Sequence, residues 1–392
     1  MRLSADELAA LKEANPVEAM IASRVRLGRA NARGVRAGAC FCEPVRGKFP
    51  LWVNCNTQSW GCLRGGGCGG DVFDYLAQLE GLAFADAVRR LGGAESLADP
   101  AAIARAKSRR EDEARKREAR ERVEAEKERE RAFAIWRGAK AAGGTLVDGY
   151  FRHRGLEPIA SKSLRFSADE LYYIEGDDGK PVLIWRGPCM VAAIVDAGGR
   201  FAGAHRTWLD PRLADGSLPS GASGKARILH PGTGEELPAK KMRGQKRGGA
   251  IRLADPLEGE GRIALLMGEG VETTATALQA CRRHATPGLR FAAWAAGDLG
   301  NMSGGGLGPS TPHPTRPGRW VPSDEPDPAA PGAIPPAWAD LTILLGDGDS
   351  DPLVTRARLT CATRRFAAIG RRAAIAMAPE GADFNDLVRS AA

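Results

Sequence analysis

The residues best suited to chemistry in this chain are carboxylates that follow apolar runs. Residues 341–352 read LTILLGDGDSDP, with Asp347, Asp349 and Asp351 at alternate positions. A second apolar run ends in Gly268-Glu269-Gly270, and a third is followed by Pro379-Glu380-Gly381-Ala382-Asp383. Runs without a polar break are the pattern of strands buried on both faces. Parallel strands deliver their C-terminal ends to one rim of an α/β sheet, where ligands bind. Carboxylates gathered on one rim repel each other unless a divalent cation lies between them. Glu269, Asp347, Asp349 and Asp383 therefore form a candidate site for Mg²⁺ or Mn²⁺, ions that favour hard oxygen ligands. Taken alone, LTILLGDGDSDP is also an ordinary Asp/Gly turn. It is the acids from other strands that favour a metal. Asp351, beside Pro352, reads as a helix N-cap and not as a ligand.

The elements that must position these acids alternate strand and helix over residues 259–392, as a parallel sheet requires. Strands are expected at 263–267, 291–296, 341–345 and 373–378, and helices at 271–283, 353–369 and 384–390. Residues 302–336 are rich in Gly, Pro and Ser and read as a surface insertion with little regular structure.

Five of the eight cysteines fall between Cys40 and Cys68. Two cysteine corners, Cys40/Cys42 and Cys62/Cys68, are joined by a hairpin in which Leu51 and Val53 alternate and Trp60 lies on the return. That is the layout of a zinc ribbon held by thiolates alone. The spacings, C-x-C and C-x5-C, depart from the usual C-x2-C, and Cys55 is a fifth candidate in place of Cys42. With no signal peptide and no long apolar run, a cytoplasmic protein with reduced thiols is expected, away from any membrane.

Residues 101–131 hold twelve basic and nine acidic side chains and few large apolar ones. Glu111–Arg115, Asp112–Lys116, Glu113–Arg117 and Glu118–Arg122 are acid-first i,i+4 pairs, so this stretch reads as a solvated helical spacer. A short helix is expected at 132–142 and another at 147–155, followed by strands at 172–174, 182–185, 190–195 and 203–209. On the last of these, His205, Thr207 and Leu209 share one face, and Arg206 and Trp208 the other. Residues 240–252 carry six Lys or Arg in thirteen positions and read as a flexible basic loop. Lys225, Lys240, Lys241, Arg243, Lys246 and Arg247, with His205 and Arg206, are candidates for contact with nucleotide or nucleic-acid phosphate. The formal net charge of +8 suits a polyanionic partner. Gly224-Lys225-Ala226 is not a P-loop, because Pro219 stands where its first glycine belongs and Ala226 where Ser or Thr belongs. No ATPase motif, and so no fused helicase, is found. The reading is an α+β multidomain chain: a zinc-binding module at 1–98, a charged helical linker at 99–140, a mixed α/β basic subdomain at 141–258, and a mostly parallel α/β domain at 259–392.

Several of these stretches resemble one family. Gly69-Gly70-Asp71-Val72-Phe73 and Phe84-Ala85-Asp86-Ala87-Val88-Arg89-Arg90-Leu91, after the cysteine corners, are similar to the zinc-binding domain of DnaG-type primases. Tyr150, Arg154-Gly155-Leu156, His205-Arg206-Thr207-Trp208-Leu209 and Gly224-Lys225-Ala226 resemble the basic half of phage- and plasmid-type primases. Glu269-Gly270, Glu272-Thr273, Asp347-Gly348-Asp349 and the Pro379–Asp383 stretch resemble the Toprim domain. The resemblance implies template-directed synthesis of short RNA primers on single-stranded DNA from ribonucleoside triphosphates, beside a separately supplied helicase. It also implies that Asp347 and Asp349 hold the metal and that Glu269 completes its shell or moves a proton. A Toprim nuclease uses nearly the same metal chemistry, and a non-catalytic single-stranded-DNA-binding protein would retain only the cleft. A topoisomerase needs a tyrosine nucleophile, and all four tyrosines precede the Toprim segment.

Overall fold

The computed structural model describes residue 3 and residues 5–30, 34–39, 51–62, 68–92, 100–176, 179–219, 221–284 and 287–389. The chain divides into two units, Met1–Glu121 and Arg122–Ala392. In the first, helices α1 (Ala5–Ala14) and α2 (Val17–Ala22) precede an antiparallel sheet of β1 (Val35–Gly38), β2 (Leu51–Asn54), β3 (Ser59–Cys62) and β4 (Gly69–Gly70), in that order. Helices α3 (Val72–Glu80) and α4 (Phe84–Arg90) follow. Leu11, Ile21, Leu51, Val53, Trp60, Tyr75 and Leu76 make the core. The Gly-Gly-Asp stretch has a local cause. Asp71 accepts the Phe73 and Asp74 amides, and Asp74 takes the Asp71 amide, a capping box that starts α3. A Cβ on Gly70, at φ +135°, would lie 2.1 Å from the Asp74 carboxylate, so only glycine lets the chain enter that cap.

Helix α5 (Pro100–Gly138) spans the division between the units as one 39-residue element. The expected break near residue 132 is absent, because nothing between Arg131 and Gly138 disfavours helix. Its last turns bury Ala132 and pack Ile135 and Trp136 against Tyr172, Val191 and Trp208. Its ion pairs include Asp112–Arg115, Glu124–Lys127, Glu126–Arg129 and Glu128–Arg131, three residues apart, and Arg117–Glu121 at four.

The second unit contains two main sheets. The first, antiparallel, runs β11-β8-β7-β6-β5, from β5 (Lys140–Ala141), β6 (Leu164–Glu175), β7 (Pro181–Val195), β8 (Phe201–Trp208) and β11 (Lys240–Gly244). Helix α6 (Leu146–His153) lies between β5 and β6 in sequence, and β9 (Ile228–Leu229) pairs with β10 (Glu236–Leu237) before β11. The basic run expected to be a loop is thus partly strand. Alternating Lys240, Met242 and Gly244 pair with β8, and edge pairing fixes what composition alone left open.

The second sheet runs β12-β14-β13-β17-β18, from β12 (Ile251–Ala254), β13 (Arg262–Gly268), β14 (Leu289–Ala295), β17 (Leu341–Gly346) and β18 (Ala373–Met377). The last four in that order are parallel, and β12 adds an antiparallel edge. Crossovers run through α7 (Val271–Arg283) and α9 (Pro352–Ala368), and α10 (Phe384–Arg389) closes the chain. Strand order reverses between β13 and β17, which is the place where an open α/β sheet forms its ligand crevice. Tyr150, Phe151, Leu164 and Met190 share one core with Leu266, Leu278 and Phe291, so the two sheets pack as one body. Residues 302–336 hold only the end of α8 (Leu299–Ser303) and the short pair β15 (Thr311–Pro312) and β16 (Trp320–Val321). The segment is tied down all the same. Arg365 donates to the carbonyls of Ser303, Gly305, Asp327 and Ala330. Asp351 caps α9, as its place before Pro352 suggested, and also receives Arg316 and His313 from the insertion.

Candidate active site

Glu269 stands just past β13 and Asp347 just past β17, on the two strands that flank the switch point. Asp349 follows two residues on. Asp383 is brought alongside by a backbone clasp: Gly348 donates to the Ala382 carbonyl at 2.9 Å, and Gly381 donates to the Gly348 carbonyl at 2.8 Å. A Cβ on Gly348 would fall 1.9 Å from the Pro379 carbonyl oxygen. The glycine between the two acids is therefore required for close approach, and it joins Asp-Gly-Asp to the Pro379–Asp383 loop.

The charges act on one another. Burial, then Asp383, Glu269 and Asp349, push the Asp347 carboxyl up to about 7, against a hydrogen bond from Thr273. Burial and Asp349 raise Glu269, while Lys240 and Lys246 oppose the shift. Among the described residues, no three His, Cys, Asp or Glu side chains are drawn together tightly enough to hold an ion. The donor set itself is all carboxylate oxygen, which fits Mg²⁺ or Mn²⁺.

A second polar centre lies on α7. Glu272 is 5% exposed. It accepts the Tyr150 hydroxyl at 2.5 Å, and Lys240 approaches its two oxygens at 3.0 and 3.2 Å. The Lys225 ammonium is 3.8 Å away. Burial alone would raise this carboxyl, but Lys240, Lys225 and Tyr150 outweigh it and hold Glu272 far below the usual glutamate range. Sequence patterns 150 to 272 residues along the chain thus meet at one carboxylate. The spacing gave no sign that Tyr150 and Glu272 bond.

The basic candidates separate by strand face. Lys240 stands opposite Thr207 on β8, the face that carries His205. His205 is pushed down to about 4 by burial and by Lys240, so its ring is neutral at pH 7, and its Nδ1 is buried without a partner. Lys241 stands opposite Arg206 on the other face. Arg206 is buried against Glu170 at 3.0 Å and lies over the Trp208 ring. Lys241 lies 3.9 Å over the Tyr172 ring, and Arg243 is 3.8 Å from Glu128 of α5. Arg206, Lys241 and Arg243 therefore do not join Lys225 and Lys240 at Glu272. Lys246 pairs with Asp298, and with Arg247 and Arg358 it lines a cavity of about 300 Å³.

In the first unit, Cys40 and Cys42 lie outside the described residues. The Cys62 amide donates to the Cys68 carbonyl at 3.1 Å, and burial and the neighbouring Cys62 raise the Cys68 thiol. Cys55 lies elsewhere. Burial and a hydrogen bond with Glu18 push its thiol up to about 11.

A family profile described as a domain of unknown function (DUF7146) matches residues 126–253. No curated protein matches the chain at a significant level. Among solved structures, the chain is similar to a crystal structure of a DNA primase domain from Pseudomonas aeruginosa. The identity is 13%, the coverage 66% of this chain and 73% of the other, and the TM-score 0.33. It is also similar to a DnaG primase catalytic domain bound to single-stranded DNA (15% identity, 69% and 78% coverage, TM-score 0.34). A third is a DnaG catalytic core (14% identity, 64% and 70% coverage, TM-score 0.31). Among the described residues, no helix is long and apolar enough to cross a membrane.

Proposed function

We propose that the chain is a DNA primase that joins ribonucleoside triphosphates into short RNA on a single-stranded DNA template. The observation that carries this reading is the acidic rim at the switch point, where burial and then the neighbouring carboxylates push Asp347 up to about 7. Such a rim, beside half-exposed lysines, suits metal-dependent transfer of a nucleotidyl group. The Toprim-like and primase-like motifs narrow that chemistry to primer synthesis.

Asp347 and Asp349 would hold Mg²⁺ or Mn²⁺, with Glu269 and Asp383 beside them. The bound ion supplies charge neutralisation for the triphosphate and helps activate a 3′-hydroxyl. Glu269, raised by burial and Asp349, can complete the set or accept the proton that the attacking hydroxyl loses. Lys225, from the stretch between β8 and β9, and Lys240, from β11, offer N–H donors to phosphate oxygens. Thr273 donates to Asp347 at 3.3 and 3.4 Å and fixes its orientation. Cys62 and Cys68 would be half of a zinc site completed by Cys40 and Cys42. A separate helicase would open the template.

The test is incorporation of labelled ribonucleotides on single-stranded DNA with Mg²⁺ or Mn²⁺, beside an Asp347→Ala/Asp349→Ala variant. Short RNA products lost in the variant support the primase. Shortened DNA instead would identify a nuclease, and DNA retention without any product would identify a binding protein.

A further inference from the structure

Among the described residues of the cleft, Glu272 is the one buried carboxylate that faces lysines rather than other acids, and the reaction as proposed gives it no task. Four segments meet on it: Tyr150 from α6, Lys225 from the stretch between β8 and β9, Lys240 from β11, and Glu272 itself from α7. The meeting depends on a glycine. Gly224 adopts φ +75°, and a Cβ there would lie 2.9 Å from the Tyr150 ring, so the chain passes directly over Tyr150 before presenting Lys225. The carboxylate is enclosed while its partners are not. The side chain of Glu272 is 7% exposed, against 27% for Lys225 and 35% for Lys240. Two cations on one anion leave an excess positive charge, carried by side chains more exposed than the carboxylate. Lys240 also acts on Glu269, which places the pair within electrostatic reach of the acidic rim.

We infer that Glu272 is a positioning residue, whose buried carboxylate gathers Lys225 and Lys240 into one receptor for a polyphosphate chain beside the acidic rim. This rests on the reading of the cleft as a nucleotide site, and it names the group that organises it. A free lysine side chain is rich in rotamers, so fixing two of them in advance lowers what an anion must spend to order them. Glu272 also favours the charged form of Lys225. Burial, Lys240 and Arg154 all lower Lys225, and Glu272 opposes that shift. His205, which faces the same lysines, is neutral and adds no charge.

Charge counting and positioning predict opposite results for Glu272→Gln. Removing one negative charge should tighten anion binding if Glu272 only neutralises. If it positions, the lysines separate, Lys225 loses its proton more readily, and binding weakens. The experiment is calorimetric titration of the full chain with inorganic tripolyphosphate in EDTA, so that neither metal nor polymerisation contributes. Glu272→Gln should bind about tenfold more weakly, one charge-assisted hydrogen bond's worth. The loss should be larger at pH 9 than at pH 7, and Glu272→Asp, which keeps the charge, should recover part of the affinity. Equal or tighter binding by Glu272→Gln overturns the inference, and so does a wild-type chain that does not bind tripolyphosphate. If Glu272→Gln does not fold, Tyr150→Phe decides. It removes the hydroxyl that holds the carboxylate, so weaker binding supports the role and unchanged binding overturns it. Primer synthesis is scored separately. A chain that makes no RNA but shows this loss of tripolyphosphate binding sinks the primase reading and keeps the positioning role.

Discussion

Gly348→Ala is the substitution whose effect follows most directly from the geometry. The added Cβ would sit 1.9 Å from the Pro379 carbonyl oxygen and 2.8 Å from that of Ala378. Both contacts are backbone atoms, so no side chain can rotate away. The Pro379–Asp383 loop must move, and with it go the two hydrogen bonds that join Gly348 to Ala382 and Gly381. Each such bond contributes about 1 kcal/mol net, and overpacking of this kind costs about 1–3 kcal/mol. The expected loss is therefore about 3–5 kcal/mol, read as the shift in the urea midpoint multiplied by the unfolding slope. Because the loop carries Asp383, the largest electrostatic neighbour of Asp347, the variant should also bind Mn²⁺ more weakly in a calorimetric titration. A stability loss under about 0.5 kcal/mol, the range of an ordinary surface change, would refute the clasp. Unchanged Mn²⁺ affinity would refute its link to the acids.

Other outcomes follow from the same structure. Asp347 has a folded pKa raised to about 7, so its protonation stabilises the metal-free protein at low pH, and that contribution is lost as pH rises through 7. Thermal melting in EDTA should therefore show a decline toward pH 8, Mn²⁺ should reverse it, and Asp347→Asn should flatten it. Glu272 is depressed instead, so its contribution is present above the ordinary glutamate range and is lost progressively as pH falls below that range. Glu272→Gln should remove that acid-limb dependence in the same melts. Asp351→Ala removes the α9 cap and the partners of His313 and Arg316. It should cost about 2 kcal/mol by denaturation, at the upper end for a helix cap, and should increase proteolytic cleavage within 302–336. Trp136→Ala loses the Ser163 hydrogen bond at 3.2 Å and the Arg165 guanidinium 3.8 Å over its ring. It should cost about 2–3 kcal/mol, below the range for a fully buried tryptophan.

What was legible in the sequence was decided locally or by period. From Ile263 and Leu341 onward, the strands ending at Gly268 and Gly346 are apolar runs interrupted only by Thr342, and a parallel strand enclosed on both faces demands such runs. Asp351 beside Pro352 is a one-turn signal, and it caps α9. What was not legible depended on pairing across long separations. Arg206 and Lys241 look like exposed cations in sequence. Their strand register instead turns them onto Glu170 and the Tyr172 ring, on the face opposite Lys240. The bond from Tyr150 to Glu272 joins residues 122 apart. The short helix expected at 132–142 proved to be the end of α5, because propensity marks a helix but tertiary packing decides where its buried face begins. Residues 240–244 became strand for a related reason, since an exposed edge of β8 needed a partner.

The central claim is that the rim formed by Glu269, Asp347, Asp349 and Asp383 is a divalent-cation centre. Anomalous diffraction from crystals of the full chain grown with Mn²⁺ tests it most directly. Mn²⁺ peaks are expected within coordination distance of Asp347 and Asp349, lost in crystals of the Asp347→Ala/Asp349→Ala variant. Ordered carboxylates at this rim with no peak between them, at a Mn²⁺ concentration that occupies other sites in the crystal, would contradict it.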